Sequence, residues 1–125
     1  MFVEKSTFTL LYTNNLENTK SFYTQIGSEI IEDTEGKLVV KLADLELHFI
    51  LSATEVFENY QYVIKEPYGQ GVLFYIGVDN LQDAKNIIEA AGSPLIFPIQ
   101  SNHWGSEEFL FEDPNGFKIV IYRNV

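Results

Sequence analysis

The 125 residues are the size of one domain with a sizeable core, and a composition 46% hydrophobic excludes a disordered chain. Eighteen acidic against eight basic side chains give a net charge of −10 with no basic cluster, which disfavours nucleic acid and anionic membrane as partners and mildly favours cationic ligands. There is no cysteine, hence no disulfide, thiolate nucleophile or cysteine-based zinc site, and no membrane-length apolar run or leader-like start, so a soluble, cytoplasmic protein is expected.

Taken in chain order, residues 7–12 (TFTLLY) read as a strand. A helix follows, with Asn14 as its expected N-cap and Glu17 completing a capping box three residues on. Leu16, Thr19, Phe22, Tyr23 and Ile26 fall on one helical stripe, and Gly27 suits the left-handed stop. Three strands are then expected over 29–33, 37–42 and 45–51. Residues 52–71, rich in aromatics and ending in Pro67-Tyr68-Gly69-Gln70-Gly71, read as a linker with a short helix near 55–60.

The second half repeats the first. Residues 13–27 (TNNLENTKSFYTQIG) align with 78–92 (VDNLQDAKNIIEAAG) at an offset of 65. Asp79 and Gln82 take the expected capping roles, Leu81, Ala84, Ile87, Ile88 and Ala91 form the stripe, and Gly92 is the stop. A strand over 72–78 precedes this helix, and strands over 94–99, 108–112 and 117–122 follow it. The last two are joined by Asp113-Pro114-Asn115-Gly116, in which Asp accepts backbone hydrogens, Pro presets its φ and Asn-Gly tolerates positive φ. The fold class is therefore α+β, with two βαβββ units in tandem (1–51 and 72–125, linker 52–71) in a single domain over 1–125. One such unit leaves sheet edges open and a face uncovered; two give a curved, half-barrel mixed sheet with helices outside and a hollow inside.

The two helix phrases, together with HWGSEEFLFEDPNGFKIVIY over 103–122, resemble the vicinal-oxygen-chelate superfamily of glyoxalases, extradiol dioxygenases, fosfomycin-modifying enzymes and bleomycin-resistance proteins. Trp104-Gly105, Glu108-Phe109 and the DPNG turn resemble the metal-free bleomycin-resistance-like branch in particular. The resemblance implies four metal-ligand positions, on the first and last strand of each unit; here they hold Phe8, His48, Leu73 and Val120. One imidazole does not make a catalytic site, which needs about three protein ligands, so no metal and no cofactor is expected. A set drawn from Glu46, His48 and His103 is the remaining route to one.

Strand parity puts Leu10, Tyr12, Glu46, Ile50, Tyr75, Lys118 and Tyr122 on the same faces as those four positions, while Leu47, Phe49, Phe74, Ile76, Ile119 and Ile121 turn to the helices. The ligand-binding candidates are Phe8, Tyr12, Glu46, His48, Tyr75, Trp104, Val120 and Tyr122, with Trp104 placed to stack on a flat or cationic ligand. The rival reading is a hollow filled by these side chains. The expected function is a metal-free protein that sequesters an aromatic or cationic small molecule. The alternative is a superfamily enzyme (glyoxalase, isomerase or thiol transferase) with an unusual metal site or acid–base catalysis by His48 with Glu46. The resemblance also implies a homodimer, with the hollow formed within one chain or between two.

Overall fold

Two asparagines start the two helices. In the computed structural model, which describes residues 6–62 and 64–124, Asn15 Oδ1 accepts the Asn18 N–H at 2.9 Å and Asn80 Oδ1 accepts that of Asp83 at 3.0 Å. Residues 1–5 and 125, assigned to the two units from sequence, and Val63 in the linker lie outside the described residues. The caps thus stand one residue after the expected Asn14 and Asp79. The third helical residues are then Asn18 and Asp83, so the capping boxes with Glu17 and Gln82 do not form. Asn14 is engaged elsewhere: its Oδ1 accepts hydrogen bonds from Ser52 and Tyr68 of the linker. Both helices end as their glycines require, with Gly27 at φ 93° and Gly92 at φ 76°.

The elements are β1 (Thr9–Thr13), α1 (Leu16–Gln25), β2 (Glu29–Thr34), β3 (Lys37–Leu42), β4 (Leu45–Leu51), β5 (Leu73–Gly77), α2 (Leu81–Ala90), β6 (Gln100–Ser101), β7 (Ser106–Glu112) and β8 (Lys118–Asn124). The linker carries two short 3-10 helices, Ser52–Thr54 and Glu58–Tyr62, in place of the single helix expected near 55–60. Each unit makes a mixed four-stranded sheet of the same topology, β1-β4-β3-β2 and β5-β8-β7-β6, with its first and last strands parallel. Among the described residues no strand pairing joins the two sheets, and no barrel closes. The internal repeat holds in the register: Leu10 lies opposite His48 in one sheet, and Tyr75 opposite Val120 in the other.

One strand differs from expectation. The segment 94–99 touches β7 only through the Ile96–Phe111 bridge and the bonds Phe97 N–H to Leu110 O and Glu112 N–H to Leu95 O; regular pairing begins at Gln100. Pro94 and Pro98 bring no N–H, so a continuous ladder cannot run through them.

The core is aromatic and draws on both units. Tyr23 of α1 packs 5.3 Å from Phe49 of β4, and Phe22 packs 6.1 Å from Phe111 of β7. Phe117 lies between Phe49 and the linker's Tyr68, at 6.2 and 5.9 Å. Leu47, Phe49, Ile119 and Ile121 are buried on the helix-facing sides of their sheets. The turn before β8 is locked as its chemistry dictates. Asp113 Oδ1 accepts the N–H groups of Asn115 and Phe117, both at 2.9 Å, and Gly116 takes φ 97°. Tyr23 then donates its hydroxyl to Asp113 Oδ2 at 2.8 Å, which fastens α1 to the turn of the other unit.

Candidate functional site

β4 places Glu46 and His48 two residues apart, on the side of the sheet away from α1. Glu46 Oε1 lies 2.7 Å from His48 Nε2. The Phe8 ring lies flat on the imidazole, centroids 3.9 Å apart and planes 11° from parallel. His48 is thereby nearly buried, whereas Phe8 remains 55% exposed. An imidazole so held has one nitrogen on a carboxylate and one face under an aromatic ring, with Val39 and Leu10 as its strand neighbours.

The second sheet presents tyrosines at the corresponding place. Tyr75 of β5 and Tyr122 of β8 stand with ring centroids 6.0 Å apart, and Tyr75 is 47% exposed. The Tyr122 ring crosses Gly77, where a Cβ would sit 3.1 Å from both its Cζ and its Oη; the missing side chain makes room for the ring. Val120 of β8, between Tyr75 of β5 and Leu110 of β7, is buried and forms floor rather than wall.

Trp104 lies in the β6–β7 loop, 65% exposed, with the His103 ring edge-on at 4.3 Å. The loop is organised by Asn102, whose Oδ1 accepts the N–H groups of Trp104 and Ser106 at 3.2 and 3.1 Å while its Nδ2 donates to Glu108 at 2.7 Å. Sequence reasoning did not single out Asn102; the only signal was a turn-forming residue two positions before the tryptophan.

Tyr12 is placed differently from the other candidates. It is buried, and its hydroxyl donates to Glu55 Oε1 at 2.5 Å. Desolvation first, and the Glu55 carboxylate second, push its ionisation up to about 12. Tyr12 lines a cleft of about 810 Å³ between β1 and the linker, together with Tyr60, Tyr62 and Lys65. The structure therefore brings together Phe8, Glu46 and His48 on one sheet and Tyr75, Val120 and Tyr122 on the other, with Trp104 and Tyr12 each in a separate setting.

A family model, the Glyoxalase/Bleomycin resistance protein/Dioxygenase superfamily, matches residues 6–121. The chain belongs to that superfamily. Solved structures share the fold of this glyoxalase/bleomycin resistance member at low identity. A hypothetical protein from S. aureus is 16% identical with a TM-score of 0.79, covering 98% of this chain and 95% of that one. A bleomycin-binding protein complexed with bleomycin is 18% identical with a TM-score of 0.71, covering 98% and 100%. A glyoxalase-related enzyme from Fulvimarina pelagi is 18% identical with a TM-score of 0.79, covering 98% and 89%. No curated protein matches the chain.

The superfamily's metal chemistry needs donors that this member lacks at the expected positions. Phe8, Leu73 and Val120 have no donor atom, and among the described residues no three His, Asp or Glu side chains gather as a candidate ion site. Glu107, near the loop, is paired with Arg123 at 2.7 Å. Among the described residues, no set of about three protein ligands fits a divalent ion at these positions. Among the described residues no helix is long and apolar enough to cross a membrane.

Proposed function

We propose that this chain is a metal-free small-molecule-binding protein that works as a cytoplasmic homodimer. Its ligand, aromatic or cationic, lies against the open faces of the two sheets. The observation that carries this reading is exposed apolar surface at the repeat-related positions: Phe8 is 55%, Leu73 50% and Tyr75 47% exposed. Side chains that merely filled an internal hollow would be buried; these stay about half exposed among the described residues. Grouped apolar exposure of this kind marks a binding surface. Two chains placed face to face would close it, which supports the homodimer.

The proposed binding residues are Phe8, Glu46 and His48 on one wall, Tyr75 and Tyr122 over Val120 on the other, Trp104 at the rim, and Tyr12 toward the linker. Aromatic walls give area for a flat ligand, and the net charge of −10 favours a positive one. That a neighbour of the same fold was solved with bleomycin supports a small-molecule role for the fold, not that ligand for this chain. The test is a panel of aromatic and cationic compounds, titrated while the emission of the single tryptophan is followed, beside elemental analysis of the purified protein.

The Glu46–His48 pair favours a second reading. At 2.7 Å the carboxylate orients the imidazole as it would for a general base, and a bound substrate that loses a proton to it and regains that proton at a neighbouring atom would make the chain an isomerase-type enzyme. A turnover that follows His48 and vanishes in Glu46→Ala would decide for it.

A further inference from the structure

We infer that the cleft between β1 and the linker is a second binding site, for a flat aromatic carrying a negative charge such as a carboxylate or sulfonate. Its volume, about 810 Å³, falls in the range of small-molecule sites, about 300–1,000 Å³. Its walls are aromatic. Tyr12 rises from β1, Tyr60 and Tyr62 come from the linker, and Phe117 lies at its base beside Val72. The wall is built rather than loose. Gly69, at φ 78°, brings the linker backbone onto Phe117 so closely that a Cβ there would meet its Cδ1 at 2.7 Å. Tyr12 holds the start of the linker through Glu55, and Tyr68 holds its end through Asn14 and Ser52 at 2.9 and 3.1 Å.

The charge preference comes from Lys65. Among the described basic residues, Lys20, Lys37, Lys85, Lys118 and Arg123 each sit against a carboxylate. Lys41 and Lys65 have no such partner among the described residues, and of these two Lys65 lines the cleft. Its Nζ lies 5.9 Å from the Tyr62 ring centroid, which sets a positive charge beside a stacking surface. The other ionised group of the lining, Glu66, accepts a hydrogen bond from Asn14 Nδ2, and Glu55 is taken by Tyr12. A ring stacked on Tyr62 with its acidic group on Lys65 uses both features at once. This site shares Leu10 and Tyr12 with the face of the first sheet and differs in its linker wall and in the charge it selects.

The test uses two fluorescent probes with one ring system, 8-anilinonaphthalene-1-sulfonate and the uncharged N-phenyl-1-naphthylamine. The whole chain is used, and each variant is first shown to melt as the parent does. The sulfonate is expected to bind once per chain. Lys65→Gln should weaken it about fivefold, the upper end for a solvent-exposed ion pair, and leave the neutral probe unchanged. Tyr62→Ala should weaken the sulfonate, and Lys85→Gln, at a surface lysine of α2 outside the cleft, should change neither probe. Equal loss of both probes in Lys65→Gln, loss of the sulfonate in Lys85→Gln, or no binding of the sulfonate would overturn the proposal.

Discussion

The Tyr23 hydroxyl meets the Asp113 carboxylate at 2.8 Å across 90 positions of chain, and both groups are fully buried. This bond joins the first helix to the last hairpin, and among the described residues it is the one place where a buried charge and the fold's two halves coincide. Removing the donor in Tyr23→Phe leaves one carboxylate oxygen short of a partner, with Asn115 Nδ2 still 3.3 Å from it. The expected cost is about 1–3 kcal/mol, read as a lowered urea midpoint with unchanged slope.

Asp113 also gives stability a pH dependence. Burial pushes its carboxyl above the ordinary aspartate range, against hydrogen bonds from Tyr23, Phe117 and Asn115 that pull it down. A raised folded-state value means that the folded chain holds the proton more tightly. The associated stability is complete below the unfolded value, near 3.8, and is lost as pH rises through the folded one. The stability difference between the parent and Asp113→Asn is therefore expected to shrink as pH climbs from about 3 toward neutrality. A difference that grows over that range would contradict the assignment.

The linker should loosen when its first latch is cut. Tyr12→Phe removes the bond to Glu55 and is expected to raise amide exchange over residues 52–62 while leaving β3 and β8 protected. The parent should also lose stability between pH 10 and about 12, as a tyrosine whose ionisation is raised by burial and Glu55 gives up its proton; the variant should lose less.

Asn102 is expected to act through Trp104. With four hydrogen bonds at its side chain, two given and two accepted, it shapes the loop, so Asn102→Ala should lower the steady-state anisotropy of the tryptophan. Ligand affinity should fall in Asn102→Ala in proportion to that in Trp104→Ala. A variant with free tryptophan motion and full affinity would remove Trp104 from the site.

The fold was legible because repeat and parity agree. The 65-residue offset, the two glycine stops and the DPNG turn survive in the structure as two sheets of one topology. What the residues did not disclose lies where local chemistry has two equal options. Asn14 and Asn15 are both good caps, and only the linker, by taking Asn14, leaves the cap to Asn15. Residues 94–99 alternate like a strand, but two prolines break the ladder. In the site, parity alone pairs Glu46 with His48 on β4 and turns Tyr75 and Tyr122 to one face, while their contact follows from the pairing of β5 with β8. The stacking of Phe8 on His48 is readable only once β1 is set beside β4. The Tyr12–Glu55 bond and the cleft it borders depend on the path of the linker, which carries no periodic signal.

The sheet faces act as a binding surface only if a ligand contacts their exposed aromatic side chains. The most direct measurement is titration of the parent and of Tyr75→Ala with the aromatic and cationic panel, followed by the emission of Trp104, the only tryptophan. A saturable change with at least one cationic aromatic compound, weakened about tenfold or more by Tyr75→Ala, is the predicted result, since a stacked aromatic contributes on the order of 1–2 kcal/mol. A flat response to every compound, or binding indifferent to Tyr75, would contradict it.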